Sequence, residues 1–265
     1  MIHFVGAGPG AEDLITVRGA DLLAKADLVI YAGSLVNSGL LDRYCRKGAR
    51  VLDSSRMTLE EVLDQMRAAE AAGLETVRLH TGDPSLYGAI REQMDALDRE
   101  GMAYDLTPGV SSFGAAAAAL GAEYTLPGVS QTVIITRAAG RTPVPAGEGL
   151  RDLARHGSTM VLFLSASLLD QVQEELLAGG YAPATPAALV YKASWPDQRV
   201  VRCTVGTLAA AGHEAGVSRT ALVTVGGFLE GGYDRSWLYN PSFETGYRKA
   251  REAPEDQTGD MHGRA

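Results

Sequence analysis

Cysteine is nearly absent: Cys45 and Cys203 are the only two. That excludes a disulfide framework and any Cys-x-x-Cys metal or redox motif, so both are expected to be ordinary thiols. His3, His80, His156, His213 and His262 contain no His-x-x-x-His pair, and no protein-bound metal is expected. Long apolar runs are missing as well. The best stretches, residues 28–30 and 160–164, fall far short of the roughly 20 residues that span a bilayer, so no membrane partner is expected. Residues 2–5 run straight into a glycine turn without the basic and long apolar regions of a secretory signal, which predicts a cytoplasmic protein. Positive charge is in deficit: 24 Lys+Arg stand against 32 Asp+Glu, a formal net charge of −8. A nucleic-acid backbone is therefore excluded as the main partner, and any basic site must be local. There is no usable internal repeat. No Ser-His-Asp, His-Glu or paired-carboxylate pattern asks to be catalytic, and no catalytic base is named.

What is present is a core-forming chain of 265 residues, 46% hydrophobic and 21% charged, long enough for one to two domains. Short β-branched and apolar runs alternate with helical stretches in the first half, at residues 2–5, 28–31, 50–52, 76–79 and 104–106. This is the pattern of a parallel sheet wound with helices. Thr16 is placed to cap a first helix. Thr58-Leu59-Glu60-Glu61 is a capping box opening a helix to about residue 72, where Gly73 stops it. Further helices are predicted over residues 89–99, 115–120 and 168–177. In the second half the apolar runs at 132–136, 159–164, 187–191, 199–203 and 221–225 are less regularly interleaved, which predicts a mixed sheet. Residues 141–149, rich in proline and glycine, read as a loop. The expected organisation is an N-terminal α/β subdomain over 1–118, a C-terminal α/β subdomain over 119–245, and an unstructured polar tail over 246–265.

Four turns fall at expected strand ends: Gly6-Ala7-Gly8-Pro9-Gly10, Thr81-Gly82-Asp83-Pro84, Pro108-Gly109-Val110-Ser111-Ser112 and Lys192-Ala193-Ser194-Trp195-Pro196. Each taken alone is either a tight turn or part of a site. Together they outline a crevice beyond the carboxyl ends of the strands, where wound sheets bind ligands. The first turn also satisfies G-x-G-x-x-A. A nicotinamide site, however, expects an acid at the end of the second strand, where this chain has Tyr31-Ala32-Gly33-Ser34, and Pro9 removes an amide that a pyrophosphate would use. A ligand with an adenine, a ribose and a small charged head but no phosphate suits the turns better. S-adenosylmethionine has those parts, although spacing alone does not single it out.

With Asp13-Leu14-Ile15-Thr16 and Ser194-Trp195-Pro196-Asp197-Gln198 added, these motifs resemble the tetrapyrrole methylase family, the class III S-adenosylmethionine methyltransferases, from residue 1 to about 228. Within it, residues 31–36, 131–143 and 193–199 are similar to the branch that methylates C11 of a precorrin or cobalt-precorrin in cobalamin synthesis. Residues 81–88 and 238–243 look more like the cobalt-early side of that branch. The alternatives are a family member acting on another ring carbon, or a non-catalytic or nicotinamide-binding module. The resemblance implies two α/β subdomains with the cofactor folded in the cleft between them, and a homodimer. By position, the family's cofactor contacts fall on Pro9, on Thr81, Gly82 and Asp83, on Leu86, on Ser111 and Ser112, on Leu164, on Ala193, and on Thr220 with Ala221. Asp83 either caps its own turn or faces the cofactor. A tetrapyrrole rich in carboxylates needs local cations. Arg137 and Lys192 are the first candidates, with Arg56, Arg141 and Arg199 behind them, each also readable as a solvated surface charge. Tyr87 and Trp195 are either flat walls for a macrocycle or core aromatics.

Overall fold

Residues 1–251 are described in a computed structural model of the chain. The five apolar runs of the first half form β1 (Ile2–Gly6), β2 (Leu28–Tyr31), β3 (Arg50–Asp53), β4 (Thr76–His80) and β5 (Tyr104–Thr107). They pair in the order β3-β2-β4-β1-β5, all parallel. The helices between them are α1 (Val17–Leu23), α2 (Ser38–Tyr44), α3 (Leu59–Ala71) and α4 (Arg91–Arg99). Strand side chains alternate between faces, so one set reaches each helical layer. Ile2, Phe4 and Ile30 pack with Val62, Met66 and Leu97 of α3 and α4. Val5, Val29, Val77 and Leu79 pack with Leu23 of α1 and Leu40 of α2.

α5 (Ser112–Leu120) leads into the second half. Its strands β6 (Val133–Arg137), β7 (Thr159–Phe163), β8 (Pro186–Tyr191), β9 (Arg199–Thr204) and β10 (Ala221–Val225) order as β6-β7-β10-β8-β9. Only β6 and β7 are parallel; the remaining pairs are antiparallel, as a mixed sheet requires. Met160, Leu162, Leu189 and Val223 face α6 (Leu150–Ala154), α7 (Leu169–Ala178) and α8 (Leu208–Glu214). The other face, with Val161, Ala188, Val190 and Leu222, is covered by Ala115, Ala116 and Leu120 of α5. No helix among the described residues is long and apolar enough to cross a membrane.

Thr58 and Glu61 make the reciprocal capping box: the Glu61 amide donates to the Thr58 hydroxyl at 3.3 Å and the Thr58 amide to the Glu61 carboxylate at 2.7 Å. Thr58→Ala is expected to cost about 1 kcal/mol in a urea titration, because it leaves one donor of the first turn without its partner. A cost indistinguishable from zero would mean that water replaces the cap.

Two differences from the sequence expectations stand out. α2, α6 and α8 are short helices that the apolar pattern does not announce. In α2, the Asn37 side chain accepts from Gly39 and so starts a helix of seven residues with only Leu40 and Leu41 buried. The tail does not become irregular at Gly246 either. Thr245 pairs with Arg248, whose guanidinium donates to the carbonyls of Leu238, Asn240 and Phe243 at 2.7, 2.9 and 3.2 Å. One arginine thus satisfies three carbonyls and closes a turn that a polar sequence does not suggest. The remainder of the predicted tail, residues 252–265, lies outside the described residues.

Candidate functional site

The turns after β1, β4 and β5 are laced together through their backbones. The Ala7 amide donates to the His80 carbonyl at 2.7 Å, and Gly8 and Gly82 exchange hydrogen bonds at 3.2 and 2.8 Å. Approach is so close that a Cβ on Gly6 would lie 2.5 Å from the Gly109 Cα, and one on Gly109 would lie 2.0 Å from the Gly82 carbonyl oxygen. Glycine is required at these positions by space. At Gly82 the requirement is conformational: φ is +59° and the nearest atom to an added Cβ is the Ser112 amide at 3.5 Å, an ordinary contact.

Asp83 binds the lacing. Its carboxylate accepts from the Gly109 amide at 2.8 Å, from the Ser85 amide at 2.9 Å, and from the Ser85 hydroxyl. Burial alone would raise its pKa, but the Ser85 hydroxyl and the two amides hold it below the usual carboxylate value. The carboxylate thus both caps its own turn and ties that turn to the next.

Behind the second turn, His80 and Arg78 are buried on the same face of β4. Burial, and then the Arg78 charge, push the His80 imidazole down to about 3, so it is neutral near pH 7. Burial lowers Arg78 to about 10, and its guanidinium donates to Gln93 and to the Ile30 carbonyl, both at 3.1 Å. The unfolded chain takes up a proton at His80 near pH 6.5 that the folded chain refuses until about pH 3, so this stabilising contribution is complete above pH 6.5 and is lost as pH falls towards 3. His80→Leu is expected to flatten the dependence of urea stability on pH between 6.5 and 4. An unchanged slope would show that other groups set it.

Across from these turns lie the ends of the second sheet's strands. Together the two halves enclose a cleft of about 390 Å³. Pro9, Thr81 and Ser112 line it from the first half, and Leu164, Ala193, Thr220 and Ala221 from the second. Lys192 and Trp195 line it as well. Gly82, Asp83 and Ser111 sit in the laced turns and are not part of the lining. Leu86 is half-buried in the turn that Asp83 begins, with its amide donating to the Asp83 carbonyl at 3.3 Å. Tyr87 is outside the cleft wall, its ring 5.4 Å from that of Phe163, which lines the cleft.

Strain concentrates here. Of the non-glycine residues with positive φ, Leu164 (+53°), Lys192 (+46°) and Thr220 (+53°) all line the cleft, and Ser194 (+69°) adjoins it. Each costs on the order of 1–3 kcal/mol, a cost that persists where the surrounding structure uses the shape. Leu164 is also 65% exposed, an apolar side chain left open at the cleft wall.

A clasp joins the halves across the cleft. The Trp195 indole N–H donates to the Pro9 carbonyl at 2.9 Å, and the Ala11 amide donates to the Ser194 hydroxyl at 3.0 Å. Asn37, which caps α2, also donates to the Gly10 carbonyl at 3.0 Å. Trp195 is thus a strut as well as a wall.

The predicted cations fare differently. Arg137 is spent on its own loop, donating to the carbonyls of Ala138, Thr142 and Pro143 at 3.3, 3.2 and 2.6 Å. Lys192 pairs with Asp197 at 2.7 Å, which holds the ammonium above its usual pKa. Arg199 lies 4.7 Å over the Tyr191 ring and donates to the Ala215 carbonyl at 2.9 Å. Arg56 and Arg141 are exposed and do not line the cleft. Sequence reasoning missed Leu35, Phe163, Ser218 and Arg219, all in the lining. Phe163 and Arg219 each adjoin a flagged position, which is the one signal that pointed to them.

A second, larger groove of about 1080 Å³ runs between residues 120–127 and 228–239. None of the cofactor or substrate contacts expected from the sequence lines it, although Gln131, Leu238 and Tyr239 of the family-like stretches do. It mixes Glu123, Glu230 and Asp234 with Arg202 and Arg235 and has no laced turns.

A parallel and a mixed five-stranded sheet facing each other across a cleft of glycine turns define a class. The family model of tetrapyrrole (corrin/porphyrin) methylases matches residues 1–209, and the chain belongs to that family. Within it, the chain is 51% identical to the cobalt-precorrin-4 C(11)-methyltransferase of Methanocaldococcus jannaschii, over 95% of this chain and 97% of that one. It is 48% identical to the precorrin-4 C(11)-methyltransferase of a Sinorhizobium species, over 93% and 98%. Among solved structures, a cobalt precorrin-4 methyltransferase of cobalamin biosynthesis superposes with a TM-score of 0.85 at 48% identity, covering 87% of this chain and 96% of that one. The uroporphyrin-III C-methyltransferase of Thermus thermophilus in complex with S-adenosylhomocysteine superposes with a TM-score of 0.73 at 28% identity, over 86% and 93%.

Proposed function

We propose that this chain transfers a methyl group from S-adenosylmethionine to C11 of precorrin-4 or cobalt-precorrin-4 in cobalamin synthesis. The observation that carries the reading is the cleft itself: residues flagged from turns far apart in sequence line one cavity between the two sheets. Its 390 Å³ falls within the range of about 300–1,000 Å³ typical of small-molecule sites. The family and the named relatives supply the reaction class, and the relative solved with S-adenosylhomocysteine supports the cofactor.

The lining suits the ligand. Phe163, Leu164, Val190 and Leu222 make apolar walls, Thr81 and Ser112 offer hydroxyls, and no acidic side chain lines the cleft among the described residues. When bound, S-adenosylmethionine supplies an electrophilic methyl on a sulfonium. Displacement at that methyl is in line, so the chain's task is to align donor and acceptor and to keep water away. Leu164 and Ala193 shape one wall, Pro9 and Thr81 the other, and the clasp of Trp195 on Pro9 fixes the distance between them. The nucleophile is an electron-rich ring carbon of the acceptor, and no side chain is assigned as a base. The same reading takes the chain to act as a homodimer, as the family resemblance implies. Support for it within the chain is the run of exposed apolar side chains Tyr233, Trp237, Leu238 and Tyr239.

The test is transfer of a carbon-13 methyl from labelled S-adenosylmethionine to enzymatically prepared precorrin-4, with and without cobalt, read by NMR. Label at C11 is the expected result, and the better form of the substrate reports the metal preference. Label at another ring carbon, with cofactor binding intact, would reassign the acceptor position.

A further inference from the structure

The cleft has an electrostatic signature that the sequence does not foretell. In a chain of net charge −8, its lining carries two cations, Lys192 and Arg219, and no acid among the described residues. The two cations are not equivalent. Lys192 is neutralised by Asp197 at 2.7 Å and lies 5.1 Å over the Trp195 ring. Arg219 is exposed and makes no hydrogen bond or ion pair to any described residue. It stands directly before Thr220, held at a φ of +53°, and beside the apolar wall of Leu164, Ala166 and Leu222. A guanidinium at an apolar wall, with its donors unspent, is suited to a planar two-oxygen anion, which it binds through parallel hydrogen bonds.

We propose that Arg219 is the group by which the cleft grips a carboxylate of its ligand. The inference rests on the methyltransferase reading of the cleft and adds a specificity-determining residue to it. Two ligands bring that chemistry: the amino-acid end of the cofactor, and the carboxylate side chains of a tetrapyrrole acceptor. Lys192 leaves the role to Arg219 because its charge is already compensated, and Arg137 because its donors are spent on carbonyls.

The experiment uses the full chain, Arg219→Gln and Arg219→Lys. S-adenosylhomocysteine and 5′-methylthioadenosine, which lacks the amino-acid carboxylate, are titrated by calorimetry, and KM and kcat are measured for the acceptor. If the cofactor carboxylate is the partner, Arg219→Gln weakens S-adenosylhomocysteine by about 10- to 100-fold and leaves 5′-methylthioadenosine unchanged. If an acceptor carboxylate is the partner, both affinities hold while the acceptor KM rises by about tenfold or more at near-constant kcat. In either case Arg219→Lys recovers part of the loss. Affinities and KM all within twofold of the parent would overturn the proposal. Equal weakening of both nucleosides would also overturn it, since that is the mark of a structural role. Failure of the parent chain to bind S-adenosylhomocysteine at all would instead bring down the reading of the cleft on which the proposal stands.

Discussion

Gly109→Ala is expected to destabilise the chain by about 3 kcal/mol or more, at the upper end of what overpacking a tight interior costs. The added carbon would sit 2.0 Å from the Gly82 carbonyl oxygen and 2.7 Å from the Gly6 Cα. Both are backbone atoms, so no rotamer change relieves the contact. Relief must come from separating the turns, which breaks the Gly109 amide's bond to Asp83 and disturbs the Gly8–Gly82 exchange. Ser112, on the same turn, should then leave its place in the lining, and cofactor affinity should fall with stability. Gly114→Ala is the control: it lies within α5, an added carbon meets nothing within 4 Å, and a gain of about 0.5–1 kcal/mol is expected. Urea titration of the three proteins decides it, and equal stabilities would mean that the turns are not interlocked as described.

Gly10→Ala is expected to strain the backbone locally, because Gly10 sits at a φ of +155°, and above all to damage the chemistry. Its added carbon would fall 2.0 Å from Cδ1 and 2.1 Å from Nε1 of Trp195. The indole must move, losing its bond to the Pro9 carbonyl and with it the spacing of the two cleft walls. Misplacing reacting groups by about an ångström costs about 100-fold in rate, and a loss of that order in kcat is the expected result. A double-mutant cycle with Trp195→Ala separates the clasp from the backbone strain at the φ of +155°, because only that strain should remain for Gly10→Ala to add once the indole is gone. Additive losses would show that Gly10 acts on something other than Trp195.

The fold was legible in the sequence where local signals agreed. Every strand announced itself as an apolar or β-branched run, and the Thr58 box and Gly73 set the limits of α3 to within a residue. The mixed character of the second sheet was read from apolar runs less regularly interleaved with helices, and β8 and β9 do follow each other with no helix between them. What escaped were helices whose reason to exist is tertiary. α2 starts because Asn37 caps it while reaching Gly10, and α8 exists because Leu208 and Ala209 find the core of the second sheet.

The site was legible in outline. Strand-end turns and the family motifs together named Pro9, Thr81, Ser112, Leu164, Ala193 and Thr220, which converge on one cleft. Asp83 and Gly82 belong to the same turns but serve the lacing. Arg137 looked like a substrate contact because charge is visible in a sequence, whereas the three carbonyls that occupy it are not. Arg219 went unremarked for the converse reason: the feature that distinguishes it is the lack of a partner, which only three dimensions display.

The most direct test of the account is a crystal structure of the chain grown with S-adenosylhomocysteine. The account predicts the ligand in the 390 Å³ cleft, between Pro9, Thr81 and Ser112 on one side and Leu164, Ala193 and Thr220 on the other. A ligand seated in the 1080 Å³ groove by Glu123 and Asp234, with the cleft empty, would contradict it.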